Sequence, residues 1–473
     1  MTTPRRTKIV CTIGPATDSP ETLAALMDAG MNVARLNFSH GTHGEHRQRI
    51  ARIRELAEAK KLPIAILQDL SGPKLRTGLM NKPVVLQPGQ IFVLTNRLVP
   101  GDEHAVSVTF PDLPVHVNVG EKILLADGSI QLEVIDKNAT DLRCRVIDGG
   151  PLNSHKGINL PQTFLDIPAL TEKDKTDLEF GLEAGVDFVA LSFVRKPEDL
   201  SLVKDMMAAK NRTAPVIAKI EKHEALEKID AIIEAADGIM IARGDLAVET
   251  PLEKVPLVQK DIIKKCNRAG KPVITATQML KSMVEEARPT RAEANDVANA
   301  VFDGTDAVML SEETTIGKYP LQAVQVMDKI LRTTESKLQS LDWLPTEEHH
   351  GKLAIAAAVC HAAVGIAQDL NVAAILTPTR SGTTARMVAR YRPRVPIIAL
   401  CHRKETFLTL ALVWGVHPLC FKEYLETSDE LVDLCKQEAL ATGLVKNGDT
   451  VLITAGVPPS EQSTTNLIKV EMI

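Results

Sequence analysis

Short apolar runs alternate with amphipathic stretches along most of the chain. Runs at Lys8–Ile13, Asn32–Phe38 and Ile64–Leu70 predict strands, with helices over Glu21–Ala29 and Glu45–Ala59 between them. From about Pro83 to Asp148 the pattern changes, with Val, Ile and Leu interrupted by Gly, Pro and Asp and no helical period. Ile91–Thr95, Lys122–Ala126, Ile130–Val134 and Leu142–Ile147 read there as short strands, so an inserted all-β unit is expected, a small β-barrel hung from a loop. Alternation resumes with a helix over Thr171–Ala184 and strands at Phe188–Phe193, Val216–Glu221, Gly238–Arg243, Pro272–Thr277 and Ala307–Leu310. Eight strands, each followed by a helix, predict an α/β chain whose centre is a (β/α)8 TIM barrel. An open doubly wound sheet is the rival, but no GxGxxG follows the first strand.

A polar stretch at Ser340–Lys352 marks a second boundary. Beyond it, helices over Leu353–Asp369, Thr383–Tyr391, Glu405–Trp414 and Asp429–Thr442, the last capped by Ser428, alternate with strands. Those strands read at Ala373–Thr377, Pro396–Cys401, Val416–Phe421, Thr450–Thr454 and Asn466–Val470. The expected organisation is a barrel of residues 1–72 and 157–340, an inserted β unit of residues 73–156 and a C-terminal α/β domain of residues 341–473.

Composition narrows the function classes. A formal net charge of −5 argues against a nucleic-acid surface. The N-terminus MTTPRRTKIV carries no apolar signal segment, and no run reaches the roughly 18 apolar residues of a membrane span. The 7 cysteines are scattered without CxxC spacing, which suits reduced thiols in a cytoplasmic protein.

Charge appears where a plain core strand would carry none. Val216–Glu221 and Gly238–Arg243, joined by one amphipathic helix with Ala225, Leu226, Ile229, Ile232 and Ile233 on its apolar face, form a βαβ unit of parallel neighbours. Lys219 and Glu221 point the same way, and Asp245 lies just past the neighbouring strand. Two carboxylates and an ammonium thus meet at the C-terminal mouth of a parallel sheet, and a divalent metal held by Glu221 and Asp245 is favoured over a structural ion pair. Other strand ends contribute Arg35, Asn37, Ser39 and His40, then Asp69, Ser192 and Arg195, Thr275, Thr277 and Gln278, and Ser311, Glu312 and Glu313. Arg35, Arg76, Lys219 and Arg243 facing Asp69, Glu221 and Asp245 suit a metal-bridged phosphate, with structural pairing of each arginine as the alternative. Gly317-Lys318 lacks the rest of a Walker A loop, and no HRD or DFG set is present. His40, His43 and His46 read as a loop entering a helix more than as a zinc site, and His349-His350 as a solvated pair in a linker. In the C-terminal domain, TPTRSGTTAR (Thr377 to Arg386) follows a strand and opens a helix, which suits a phosphate cradle or an ordinary capped turn.

TKIVCTIGPAT, MNVARLNFSHG, GPKLRTG, VIAKIEK, MIARGDLAVE, KPVITATQML, RPTRAEANDVANAVFDGTDAVMLSEET and KYP together resemble the pyruvate kinases, through nearly the whole chain. The resemblance implies transfer of a phosphoryl group from phosphoenolpyruvate to ADP, giving pyruvate and ATP in glycolysis, by a cytoplasmic homotetramer. It implies that Glu221 and Asp245 hold Mg²⁺ or Mn²⁺, that Lys219 stabilises the phosphoryl group in transit, and that Arg35 and Arg76 hold phosphate oxygens. Asn37, His40 and Lys156 would serve the nucleotide, the last from a closing lid. Gly244, Asp245 and Thr277 would take the substrate carboxylate, and Thr277, Ser311 and Glu313 would relay a proton to the enolate. The family's effector site falls on Thr377, Thr379, Arg380, Ser381, Gly382, Thr383 and Thr384, which implies activation by a phosphorylated metabolite. The loop GVPPSEQSTTN lacks the Trp and Arg that some relatives place around fructose 1,6-bisphosphate, so a monophosphate such as a hexose or pentose phosphate or AMP is expected. Many relatives bind K⁺ with groups equivalent to Asn37, Ser39, Asp69 and a threonine, and carry a glutamate after the GP turn. Here the threonine position is Leu70 and the glutamate position Lys74, so loss of a side-chain oxygen and gain of an ammonium predict that K⁺ is not required. A metal-dependent barrel lyase or aldolase acting on pyruvate is the second reading, and a silent metabolite sensor the third.

Overall fold

The structure is a computed structural model that describes residues 4–165, 167–338, 352–421, 427–457 and 464–473. Eight parallel strands close a barrel: β1 (Lys8–Thr12), β2 (Val33–Asn37), β3 (Ala65–Asp69), β4 (Phe188–Leu191), β5 (Val216–Ile220), β6 (Gly238–Ala242), β7 (Val273–Ala276) and β8 (Ala307–Leu310). Each pairs with its sequence neighbours, and β8 returns to β1. The pleat sorts their side chains into two layers. Val10, Val33, Leu67, Ile217 and Ile274 fill the barrel, while Ile9, Ile66, Ala218 and Val273 join the core shared with the outer helices. Each fully buried Leu or Ile contributes roughly 1.5–3 kcal/mol. The same alternation sets Arg35, Asp69, Lys219 and Glu221 above the inner layer, at the C-terminal mouth.

The chain leaves the barrel after β3 through Gly72 (φ +67°), where a Cβ would lie 2.8 Å from the Phe193 ring. The insertion has its own core, including Phe92, Leu94, Ile123, Leu132 and Val146. A six-stranded sheet and a two-stranded one (Val84–Leu86 with Gly150–Leu152) enclose it, not a single closed ring of hydrogen bonds. One helical turn, Leu113–His116, departs from the all-β expectation. Pro114 presets its first turn, and four residues are too few to show a period.

The C-terminal domain is a five-stranded sheet in the order β11-β10-β9-β12-β13, built from β9 (Ala374–Pro378), β10 (Ile397–Cys401), β11 (Val416–Cys420), β12 (Thr450–Ala455) and β13 (Leu467–Met472). The last strand is antiparallel. Three local expectations shift. The single helix between β5 and β6 is two, His223–Glu227 and Ile229–Ala235, because Lys228 (φ −114°, ψ 18°) leaves helical geometry. Thr427 and not Ser428 caps Ser428–Ala441, since its hydroxyl accepts from Glu430 N–H while Glu430 answers in a capping box. The helix expected over Glu405–Trp414 ends at Thr409, and a 3-10 turn, Leu410–Leu412, carries Ala411 and Leu412 into the barrel's inner cluster. The C-terminal domain thereby plugs the floor of the barrel.

A buried polar joint locks that plug. Arg392 donates to Asp306 (2.9 Å), to Asn267 Oδ1 (2.5 Å) and to the Gly304 carbonyl (2.5 Å). Its guanidinium lies 5.0 Å from the Trp414 ring centre, and Arg6 lies 5.2 Å from the same ring. All 7 cysteines are free thiols, and only Cys420 is exposed. Among the described residues no helix is long and apolar enough to cross a membrane. Most of the Ser340–Lys352 stretch, His349-His350 and residues 458–463 of the GVPPSEQSTTN loop lie outside the described residues.

Candidate active site

The barrel mouth gathers a dense, ordered set of charges. Lys219 Nζ donates to Ser192 Oγ (2.6 Å) and pairs with Glu221 Oε1 (2.9 Å) and Asp69 Oδ1 (3.1 Å). Arg35 donates from Nε to Asp69 Oδ2 (2.6 Å) and from NH1 to Thr12 Oγ1 (2.9 Å). Burial pulls the Lys219 ammonium toward neutrality, yet Asp69 and Glu221 outweigh it and push its pKa up to about 12. Asp69 stays below the usual carboxylate range: burial opposes its ionisation, and Lys219 and Arg35 overcome that.

Glu221 is the exception. Burial and the nearby Asp245 carboxylate raise its pKa, with Lys219 opposing. A buried carboxylate whose charge is disfavoured, beside a second carboxylate, fits a cation between the two. Glu221 Oε2 accepts from Phe193 N–H (2.7 Å), and Phe193 adopts φ +56°. Asp245 lies in the first turn of α1 (Arg243–Glu249). Among the described residues no group of three or more His, Cys, Asp or Glu is placed to hold a metal. A divalent ion here would take two protein carboxylates and complete its shell with water and substrate oxygens, as Mg²⁺ does.

Around this centre the other sequence-predicted residues divide. Thr277 (φ +66°) accepts Gly244 N–H on Oγ1 (2.8 Å) and donates to the Ala276 carbonyl (2.6 Å). Glu313 is buried, and its two oxygens take backbone N–H groups of Ser311 (2.7 Å) and Leu280 (3.1 Å). Thr277, Ser311 and Glu313 thus do not form one hydrogen-bonded chain. Asn37 Oδ1 accepts from Ser39 N–H (3.1 Å), and Ser39 and His40 are exposed on the loop after β2. Arg76 and Lys156 meet at the base of the insertion, where Arg76 NH1 donates to the His155 carbonyl (3.0 Å) and Lys156 N–H to Thr77 Oγ1 (2.9 Å).

Arg243 is held by structural partners, the alternative that the sequence left open for each arginine. It donates to Asp296 (2.7 Å) and to the carbonyls of Ala276 (3.2 Å) and Thr277 (2.8 Å), and so fastens β6 to the left-handed turn after β7. His40, His43 and His46 do not converge either. His46 is buried, stacks 4.0 Å from Phe38 and donates to the His40 carbonyl (2.9 Å), while His43 bonds Asp177 (2.7 Å).

Leu70 is fully buried in the outer, helix-facing core, because the pleat turns it opposite to Asp69. The expectation that its side chain stands where a ligand oxygen is lost is therefore corrected. What Leu70 offers the mouth is its carbonyl, which accepts from Ser192 Oγ (2.7 Å). Lys74 is not a free surface lysine. Its Nζ lies 3.3 Å from Asp245 Oδ1 and 4.0 Å from Asp127 Oδ1 of the insertion. Sequence reasoning missed Thr12, whose place inside the barrel follows from the alternation of β1, and the Lys74–Asp245 pair, which depends on the path of the loop.

In the C-terminal domain, Thr379 Oγ1 accepts Gly382 N–H (3.0 Å), Gly382 takes φ +82°, and Ser381 and Thr383 hydroxyls lie 2.9 Å apart at the start of α2 (Thr383–Ala389). Thr384 Oγ1 bonds Thr465 Oγ1 (2.8 Å), and Arg386 donates to the Ser381 carbonyl (3.1 Å). Arg380 is exposed, and Thr377 Oγ1 is buried without a hydrogen-bond partner.

Comparisons with known proteins agree across the chain. Residues 4–324 match the family described as "Pyruvate kinase, barrel domain" and residues 357–471 "Pyruvate kinase, alpha/beta domain". The chain is 51% identical to a pyruvate kinase of Geobacillus stearothermophilus, over 99% of this chain and 80% of that one. It is 48% identical to pyruvate kinase 2 of a Synechocystis species, with the same coverage. The crystal structure of a pyruvate kinase from Cryptosporidium parvum superposes with a TM-score of 0.92 at 36% identity, covering 99% of this chain and 96% of that one. By both sequence and fold, the chain belongs to the pyruvate kinase family and is a phosphotransferase.

Proposed function

We propose that this enzyme transfers the phosphoryl group of phosphoenolpyruvate to ADP with Mg²⁺ or Mn²⁺ held by Glu221 and Asp245, needs no K⁺, and is activated by a phosphorylated metabolite. The observation that carries the chemistry is Lys219, a buried cation fixed by Asp69, Ser192 and Glu221 beside two carboxylates that fit a metal. When bound, a divalent ion supplies charge neutralisation to the phosphoryl group. Lys219 and Arg35 add fixed positive charge where the bond to the enol oxygen breaks and the bond to the ADP terminal oxygen forms. Asn37, His40, Arg76 and Lys156 bind the nucleotide side, the last two from the base of a lid that excludes water on closing. Gly244 N–H, Asp245 N–H and Thr277 orient the substrate carboxylate. The enolate left behind takes a proton at its methylene carbon through water ordered by Thr277 and Ser311, with Glu313 holding the Ser311 loop. The enzyme works in the cytoplasm as a homotetramer. The edge strand β13, with Val470 and Met472 exposed, suits pairing with a second copy.

Independence from K⁺ rests on Lys74, whose ammonium sits against Asp245 and supplies the positive potential that a monovalent ion would bring. Full activity is expected with Mg²⁺ in a buffer whose only monovalent cation is tetramethylammonium. Lys74→Glu should lower that activity and restore some response to K⁺. Strong stimulation of the unaltered enzyme by KCl at constant ionic strength would contradict the reading.

The effector reading rests on the hydroxyl-lined turn at Thr379–Thr384, with the exposed Arg380 beside it and Thr377 beneath. Arg380→Ala combined with Ser381→Ala should abolish activation by hexose or pentose monophosphates or AMP and leave activity at saturating substrate largely intact. Activation that survives unchanged would place the effector elsewhere.

A further inference from the structure

Glu249, the last residue of α1, is buried at 3% exposure. A buried carboxylate there is disfavoured twice, by desolvation and by the negative end of the helix dipole. Donors from two other segments compensate. Asn159 Nδ2 donates to Oε1 at 2.8 Å, and Lys222 Nζ donates to the same oxygen at 2.5 Å. His223 Nδ1 lies 3.6 Å from Oε2. Asn159 lies past the expected end of the insertion at residue 156, yet Ile158–Asn159 pairs with Lys122–Leu125 in the insertion's six-stranded sheet and is a strand of the lid. Lys222 directly follows Glu221, and Glu249 stands about one helical turn after Asp245. One carboxylate therefore touches the lid, the segment of the first metal carboxylate and the helix of the second. The lid and barrel cores are separate clusters, so polar ties of this kind set how the lid sits on the mouth.

We infer that Glu249 is a positioning residue for phosphoryl transfer: it joins the lid strand at Asn159 to the segments that carry Glu221 and Asp245, so that lid and metal ligands are placed together. The inference rests on the reading of Glu221 and Asp245 as the metal carboxylates. It goes beyond that reading because Glu249 itself touches neither metal nor substrate.

The test uses the full chain and Mn²⁺ alone, with free Mn²⁺ followed by electron paramagnetic resonance, beside steady-state kinetics. Glu249→Gln should weaken Mn²⁺ binding and lower kcat, each roughly 10-fold or more, as loss of a carboxylate that orients metal ligands does. Asn159→Leu, which cuts only the lid tie, should leave Mn²⁺ binding unchanged and lower kcat/KM for ADP. Because both variants break one linkage, the double variant should be no worse than Glu249→Gln alone. Mn²⁺ affinity within twofold of the parent in Glu249→Gln, or additive losses in the double variant, would overturn the inference. If Glu249→Gln does not fold, Lys222→Met must itself weaken Mn²⁺ binding, and unchanged affinity there overturns it equally. Glu221→Gln run in parallel separates the two levels. Retained Mn²⁺ binding in Glu221→Gln sinks the metal assignment, whereas loss there with none in Glu249→Gln removes Glu249 alone.

Discussion

Lys219→Met should lower kcat roughly 100- to 1,000-fold, about 3–4 kcal/mol, while the protein folds and still binds Mn²⁺ and phosphoenolpyruvate. Methionine keeps the apolar stem inside the barrel and removes only the charge. That charge is fixed before substrate arrives, since Asp69, Ser192 and Glu221 all hold the ammonium within 3.1 Å. A preorganised cation needs no reorientation as negative charge spreads over the transferring phosphoryl oxygens, so its loss falls on kcat more than on KM. With a pKa of about 12, set by burial on one side and by Asp69 and Glu221 on the other, Lys219 stays protonated at working pH. Neither limb of a pH–rate profile near neutrality should then belong to it. Near-normal turnover in the variant would remove Lys219 from the mechanism.

Arg392→Met should destabilise the protein by about 3–5 kcal/mol, the usual consequence of removing one partner from a buried ion pair. Arg392 and Asp306 are both nearly inaccessible, and Asp306 also accepts from Trp414 N–H (3.2 Å) and Val273 N–H (3.1 Å). Without the guanidinium, those two donors remain to offset a buried negative charge. Asn267 Oδ1 loses its donor as well, the Gly304 carbonyl keeps only Asn267 Nδ2 (3.0 Å), and Trp414 loses one of the two cations over its ring. Equilibrium unfolding in urea, followed by circular dichroism, would show an earlier midpoint. A shift worth less than about 1 kcal/mol would mean that the plug of Ala411 and Leu412, and not the polar joint, holds the floor of the barrel.

The barrel was legible because its strands are short, buried on both faces and bounded by charge. Charges at the ends of apolar runs then marked the mouth, and the two-residue spacing of Lys219 and Glu221 placed both on one side. Leu70 shows the same rule neglected: as the neighbour of Asp69 it must point the other way, into the helix layer. Other features depended on contacts that no local pattern carries. The Lys74–Asp245 pair needs the loop after Gly72 to return across the mouth, and Arg243 needs Asp296, which is 53 residues away in sequence. The break at Lys228 lies inside an unbroken apolar period, so spacing alone gave one helix. Thr427 and Ser428 are both good caps, and Glu430, three residues after Thr427, decides between them. The Leu113–His116 turn is shorter than any period. No local pattern marks Glu249, whose partner Asn159 lies 90 residues earlier.

The proposed metal site at Glu221 and Asp245 is central to the chemistry, and anomalous scattering at the manganese edge tests it most directly. Crystals grown with Mn²⁺ and phosphoenolpyruvate should show one strong peak bridging a carboxylate oxygen of Glu221 and one of Asp245, with the substrate phosphate facing Lys219 Nζ. A peak at any other set of side chains, or a phosphate turned away from Lys219, would contradict it.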